Sequence, residues 1–109
     1  MKRKAKIRVK EGSGNIFADL GFANPEHEEV KARLTLQIYR LIKGRGLTQA
    51  QAGAVLGIKQ PHVSNLMRGR SGAFSVERLM SFLTALGQDV QITVKSTRNP
   101  RGEVSVIVA

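Results

Sequence analysis

The residues best equipped for chemistry lie between positions 59 and 70, where Lys59, Gln60, His62, Ser64, Asn65, Arg68 and Arg70 follow one another with no acid among them. Such a set offers hydrogen-bond donors and positive charge, which suits holding a polyanion and reading polar edges rather than making or breaking bonds. Catalysis lacks its parts. There is no cysteine, so disulfides, thiolate metal sites and cysteine nucleophiles are excluded, and only two histidines, His27 and His62, occur without a supporting carboxylate cluster. Ser64 stands near His62 but no acid is placed to orient a nucleophilic pair. No catalytic residue, metal or cofactor is therefore expected, and the chain does not read as an enzyme.

Charge sharpens this reading. The 109 residues carry 18 Lys plus Arg against 8 Asp plus Glu, a formal net charge of +10. Residues 1–10 hold six of the basic groups (Lys2, Arg3, Lys4, Lys6, Arg8, Lys10) and no acid, whereas residues 11–39 have a net charge of −3. In residues 40–78, seven basic side chains face Glu77 alone, giving +6. A polyanion should be drawn to the middle of the chain and to the N-terminal tail.

The elements that must position these groups follow from periodicity and punctuation. Residues 1–15 predict a basic, flexible arm, because like charges repel and Gly12, Ser13 and Gly14 add freedom. That glycine pair is not a dinucleotide fingerprint, since Phe17 stands where the third glycine belongs. Ile16, Phe17, Leu20 and Phe22 form an apolar patch suited to a short turn or helical stub on the core. A first helix is predicted from an Asn24 cap and Pro25, with Glu26, Glu28 and Glu29 in its positive first turn and His27 as an ordinary first-turn residue. Val30, Leu34, Ile38, Leu41 and Ile42 make its apolar face, and Gly44 ends it.

Three shorter helices should follow: from a Thr48 cap to about Leu56, from near Gln60 to Gly69, and from a Ser75 cap to Gly87. Val76, Leu79, Met80, Phe82 and Leu83 would be the inner face of the last, and Tyr39, Phe74 and Phe82 should join the core with Phe17 and Phe22. Beyond Gly87 the period changes to two. Val90, Ile92 and Val94 alternate with polar residues, as do Val104, Val106 and Val108 with Ser105 and Ile107, and Asn99-Pro100-Arg101-Gly102 suits a type I turn. Residues 88–109 are thus expected to form a β-hairpin, which must lie on the helices or pair with a second copy to be stable.

The segment QAQAGAVLGIKQPHVSNLMRG, residues 49–69, carries most of the argument. Two helices joined so tightly must cross steeply, which calls for a small residue at the crossing, Gly53, and a turn residue tolerant of positive φ, Gly57. With Ala52, Leu56, Val63 and Leu66 inward, the opposite side of the second helix presents Gln60, Pro61, His62, Ser64, Asn65 and Arg68. That is the polar, acid-free face a helix needs in the DNA major groove.

Here the sequence resembles the helix-turn-helix of the xenobiotic-response-element (XRE) type, the class of lambdoid phage repressors and Cro, in LTQAQAGAVLGIKQPHVSNLMRG. The resemblance implies a mainly α, lambda-repressor-like bundle over residues 16–87 with the helix-turn-helix at 48–69, and the hairpin of 88–109, which needs a partner surface, is the candidate dimerisation element. The resemblance also implies base contacts from Gln60, Pro61 and Asn65 and a phosphate contact from Gln49. Pro61 departs from the family, having no side-chain donor and only an apolar surface to offer a thymine methyl. Lys59, His62, Ser64, Arg68 and Arg70 would then hold phosphates. The whole chain is also similar to small HigA-like antitoxins, which implies a RelE-like toxin as a further partner. A dimeric transcription repressor on double-stranded DNA is the expected function, with the antitoxin and a non-specific nucleoid or RNA-binding protein as rivals. The longest apolar run, 52–58, is far short of the roughly 20 residues that span a bilayer, and no apolar run follows the basic tail as in a signal peptide. A cytoplasmic location is expected.

Overall fold

The chain begins its described structure with a long helix whose buried stripe organises everything else. The computed structural model describes residues 24–109 apart from Ser71, with side chains from residue 28 onward. The expected arm of 1–15, the patch at Ile16 to Phe22, and the side chains of Asn24 and His27 lie outside the described residues. Helix α1 spans Asn24–Gly44, α2 Gln49–Leu56, α3 Gln60–Met67 and α4 Val76–Ala85. No strand is formed among the described residues.

Val30, Leu34, Ile38 and Ile42 of α1 are buried, as the four-residue spacing predicts, and Leu41 is half-buried at the edge of the stripe. Helix α1 packs against α4 and α3, and α2 packs against α3 and α4. Val63, Leu66, Val76, Leu79, Phe82, Leu83 and Leu86 close the core, with Phe74 and Phe82 meeting edge to face at 5.3 Å between ring centroids. Tyr39 differs from the expectation of a core aromatic. It is half-buried with Lys43 Nζ 6.0 Å from its ring centroid, because its position on the flank of α1 keeps one side in water.

Two features fasten the ends of the bundle. Ser75 Oγ accepts the backbone N–H of Arg78 at 3.0 Å and so caps α4. At the other end the Arg45 guanidinium, just beyond α1, donates to the Leu86 carbonyl after α4. That bond satisfies a helix-end acceptor across 41 residues of chain.

The predicted hairpin is where the described structure differs most from the periodicity. Residues 88–109 form neither helix nor strand and bend at 98–101, and neither leg exchanges backbone hydrogen bonds with the other. The bend is closed locally, with Thr97 Oγ1 accepting from the Asn99 N–H at 3.2 Å. Val104 and Val106 are half-buried against the helical core, as is Val90. The second leg spends its apolar side on α1, where Val106 and Val108 line a shallow groove with Arg33, Leu36, Gln37 and Arg40. Alternation writes an extended strand, but it does not say which edge the strand meets.

Candidate nucleic-acid interface

Helix α2 starts with a reciprocal cap. Thr48 Oγ1 accepts the Gln51 N–H at 3.1 Å while the Gln51 side chain accepts the Thr48 N–H at 2.8 Å. This fixes the first turn and holds Gln49, half-buried, at the leading edge of the helix. The helix ends at Gly57, whose φ of 73° is the left-handed conformation, and the Gly53 carbonyl accepts both the Gly57 and Ile58 N–H groups at 2.8 and 3.0 Å.

Gly53 itself sits where the turn folds back. A Cβ there would lie 2.7 Å from the Ile58 carbonyl oxygen and 3.5 Å from Val63 Cγ2. The close approach is therefore helix α2 against the backbone of the connecting turn as much as helix against helix. With Ala52, Leu56, Val63 and Leu66 all buried, the pair α2 and α3 forms one angled unit rather than a continuous rod.

Lys59 precedes α3 in an extended conformation and gives it no side-chain cap; Pro61, in the first turn, lacks only an N–H that would have no helical partner there. Neither α2 nor α3 carries an acid in its first turn, so the partial positive charge at both helix starts is not neutralised by the helix's own side chains. Lys59, Gln60, Pro61, His62, Arg68 and Arg70 are exposed, and Ser64 and Asn65 are half-buried on the same outer side. The Asn65 carbonyl accepts the Arg70 N–H at 2.8 Å, which turns the chain after Met67 and keeps both arginines beside α3.

None of the nine positions expected to face a duplex is buried: six are exposed and Gln49, Ser64 and Asn65 half-buried, on or bordering α2 and α3. His62 has a neighbour that spacing did not reveal: its ring meets the edge of Phe74 at 6.2 Å, and Phe74 in turn meets Phe82, over which Arg78 lies at 5.4 Å. This row buttresses the first turn of α3 from α4 and brings exposed Arg78 into the same basic region. One sequence signal pointed to Phe74: it directly precedes the Ser75 cap, with Leu79 five residues on, the positions of a hydrophobic staple.

Residues 16–95 match the family described as helix-turn-helix domain. Over 68 residues, 62% of this chain, the sequence is 34% identical to the "Putative antitoxin HigA2" of Mycobacterium tuberculosis, and the match spans 64% of that relative's length. A solved structure titled "Putative XRE Family Transcriptional Regulator" is similar with a TM-score of 0.76 and 40% identity, covering 80% of this chain and 100% of the other. On the strength of the tight turn at Gly57, the two short helices it joins and these matches, the chain belongs to the helix-turn-helix domain family and is of the XRE type.

Proposed function

We propose that the chain is a sequence-specific double-stranded DNA-binding protein that acts as a dimeric repressor of transcription in the bacterial cytoplasm. One observation carries this reading: α3 is held by its buried Val63 and Leu66 while its opposite side offers Gln60, Pro61, Ser64 and Asn65 on an acid-free surface. Gln60 and Asn65 are the base readers, each able to pair bidentately with adenine, and Pro61 adds an apolar contact. Gln49, Lys59, His62, Ser64, Arg68 and Arg70 hold phosphates and set the register of the helix. A single α3 reads only a few base pairs, so two copies on half-sites about 34 Å apart are the natural arrangement. Residues 16–87 form the binding unit and 88–109 the dimerisation element, with the basic tail of 1–15 as an arm.

Selecting bound duplexes from a random pool tests this. A palindromic consensus is expected, and Gln60→Ala or Asn65→Ala should each relax one position per half-site by about 1 to 3 kcal/mol of discrimination. Equal recovery of all sequences would instead favour a non-specific nucleic-acid binder. Gel filtration of the full chain should give a dimer that is lost on truncation after Gly87.

A second reading, favoured by the identity to the HigA2 relative, adds a toxin partner: the protein neutralises a RelE-like ribonuclease and uses its DNA binding to control its own operon. A ribonuclease gene beside this one, whose growth inhibition this chain relieves on co-expression, is the expected finding.

A further inference from the structure

The His62 imidazole stands on the outer side of α3 with its ring held from behind. It is exposed, it is the third residue of the helix, and its backbone N–H is bonded to the Lys59 carbonyl at 2.9 Å. Its ring lies 6.2 Å from that of Phe74 at an interplanar angle of 76°, the edge-to-face arrangement that aromatic quadrupoles favour. Among the described residues no hydrogen bond engages either ring nitrogen, so both are open to a ligand from outside the chain.

Phe74 cannot follow the imidazole if it moves. It is 5% exposed and meets Phe82 at 5.3 Å and 79°, and Phe82 is itself buried with the Arg78 guanidinium 5.4 Å over it. The next residue, Ser75, is fixed as the cap of α4. The inner ring is thus set by the core and the outer ring by the inner one, across the loop that joins α3 to α4. A contact with an exposed ring buries little apolar area, so it adds little to stability. For binding it has a use. A free exposed side chain samples several rotamers, and fixing it on a partner costs ordering entropy that a side chain already held does not lose.

We propose that Phe74 is a positioning residue for DNA binding, which holds the His62 imidazole in place for a phosphate of the duplex. This rests on the DNA-binding reading above and adds to it a residue that touches no nucleic acid, since Phe74 is buried and has no surface to offer a duplex itself. Four full-length proteins test it: the parent, Phe74→Leu, His62→Ala and the double variant, each bound to duplex at a temperature where circular dichroism shows it folded. His62→Ala and Phe74→Leu should each weaken binding about three- to tenfold per half-site, on preferred and scrambled duplexes alike. The double variant should bind no more weakly than His62→Ala alone, because with the imidazole gone Phe74 has nothing left to place.

A merely structural Phe74 gives losses that multiply in the double variant, and that result overturns the proposal. So does Phe74→Leu, or His62→Ala, binding as tightly as the parent; if Gln60→Ala and Arg68→Ala still weaken binding, the DNA-binding reading stands. A parent that binds no duplex overturns both. Should Phe74→Leu not fold, the parent answers by itself. The chain has two histidines, so the His62 ring protons are assigned by their absence in His62→Ala. In NMR spectra they should be displaced by the Phe74 ring current and should shift further on adding duplex. Ring protons at random-coil positions, or unmoved by a duplex that shifts the α3 amides, overturn the proposal.

Discussion

Gly53→Ala is expected to unfold the protein at a markedly lower temperature, despite alanine being the better helix former. Propensity alone would favour alanine by about 1 kcal/mol. Against this, the new methyl would lie 2.7 Å from the Ile58 carbonyl oxygen, which is backbone and cannot rotate away. The turn cannot retreat either. Its Gly57 and Ile58 N–H groups are both bonded to the Gly53 carbonyl, so moving Ile58 outward stretches the bonds that end α2. Overpacking of this kind typically costs 1 to 3 kcal/mol, and with two hydrogen bonds engaged the upper end applies. The net loss should be about 2 kcal/mol, a fall of roughly 8 to 16 °C for a domain of this size. Urea unfolding should show a lower midpoint at unchanged slope. Any α2 and α3 that remain folded would cross at a changed angle, so duplex affinity should drop further than stability alone explains. A variant that melts with the parent or above it would mean that the turn does not need the space at Gly53.

How far the fold can be read from the sequence depends on the range of each interaction. Helix α1 is written by local spacing, with Val30, Leu34, Ile38 and Ile42 buried as their period requires. Helix α2 is written at both ends, by Thr48 with Gln51 and by Gly57. The need for a small residue at Gly53 follows from the short connection, but that the Ile58 carbonyl is what occupies the space does not. Burial of Lys31 and Thr35 on α1 runs against composition, because the buried strip is wider than the apolar residues alone suggest. Arg45 on Leu86, His62 on Phe74 and the packing of Val104 and Val106 on the helical core all depend on segments distant in sequence. No local pattern specifies those meetings. The outward set on α3 was readable because its inward set, Val63 and Leu66, leaves no other side for it.

Duplex affinity is expected to fall about a thousandfold between 50 and 200 mM salt, and the slope, more than the affinity, distinguishes the roles of the residues around α3. Lys59, Arg68 and Arg70 are exposed cations beside the helix, so a dimer brings about six to the phosphates. Each releases nearly one condensed counterion, giving a log–log slope of about −5 and, over a fourfold rise in salt, a loss of about three decades. Arg68→Ala or Arg70→Ala removes two of these contacts per dimer. The slope should become shallower by about two, and binding should weaken on all duplexes alike. Gln60→Ala should do the opposite, leaving the slope in place while weakening only the preferred sequence. The arm enters as an increment. If Lys2 to Lys10 also reach the duplex, the parent slope will be steeper than −5 and deletion of residues 1–10 will bring it back. A slope that neither arginine changes would place the phosphates away from α3, and with them the whole orientation of the helix-turn-helix on DNA.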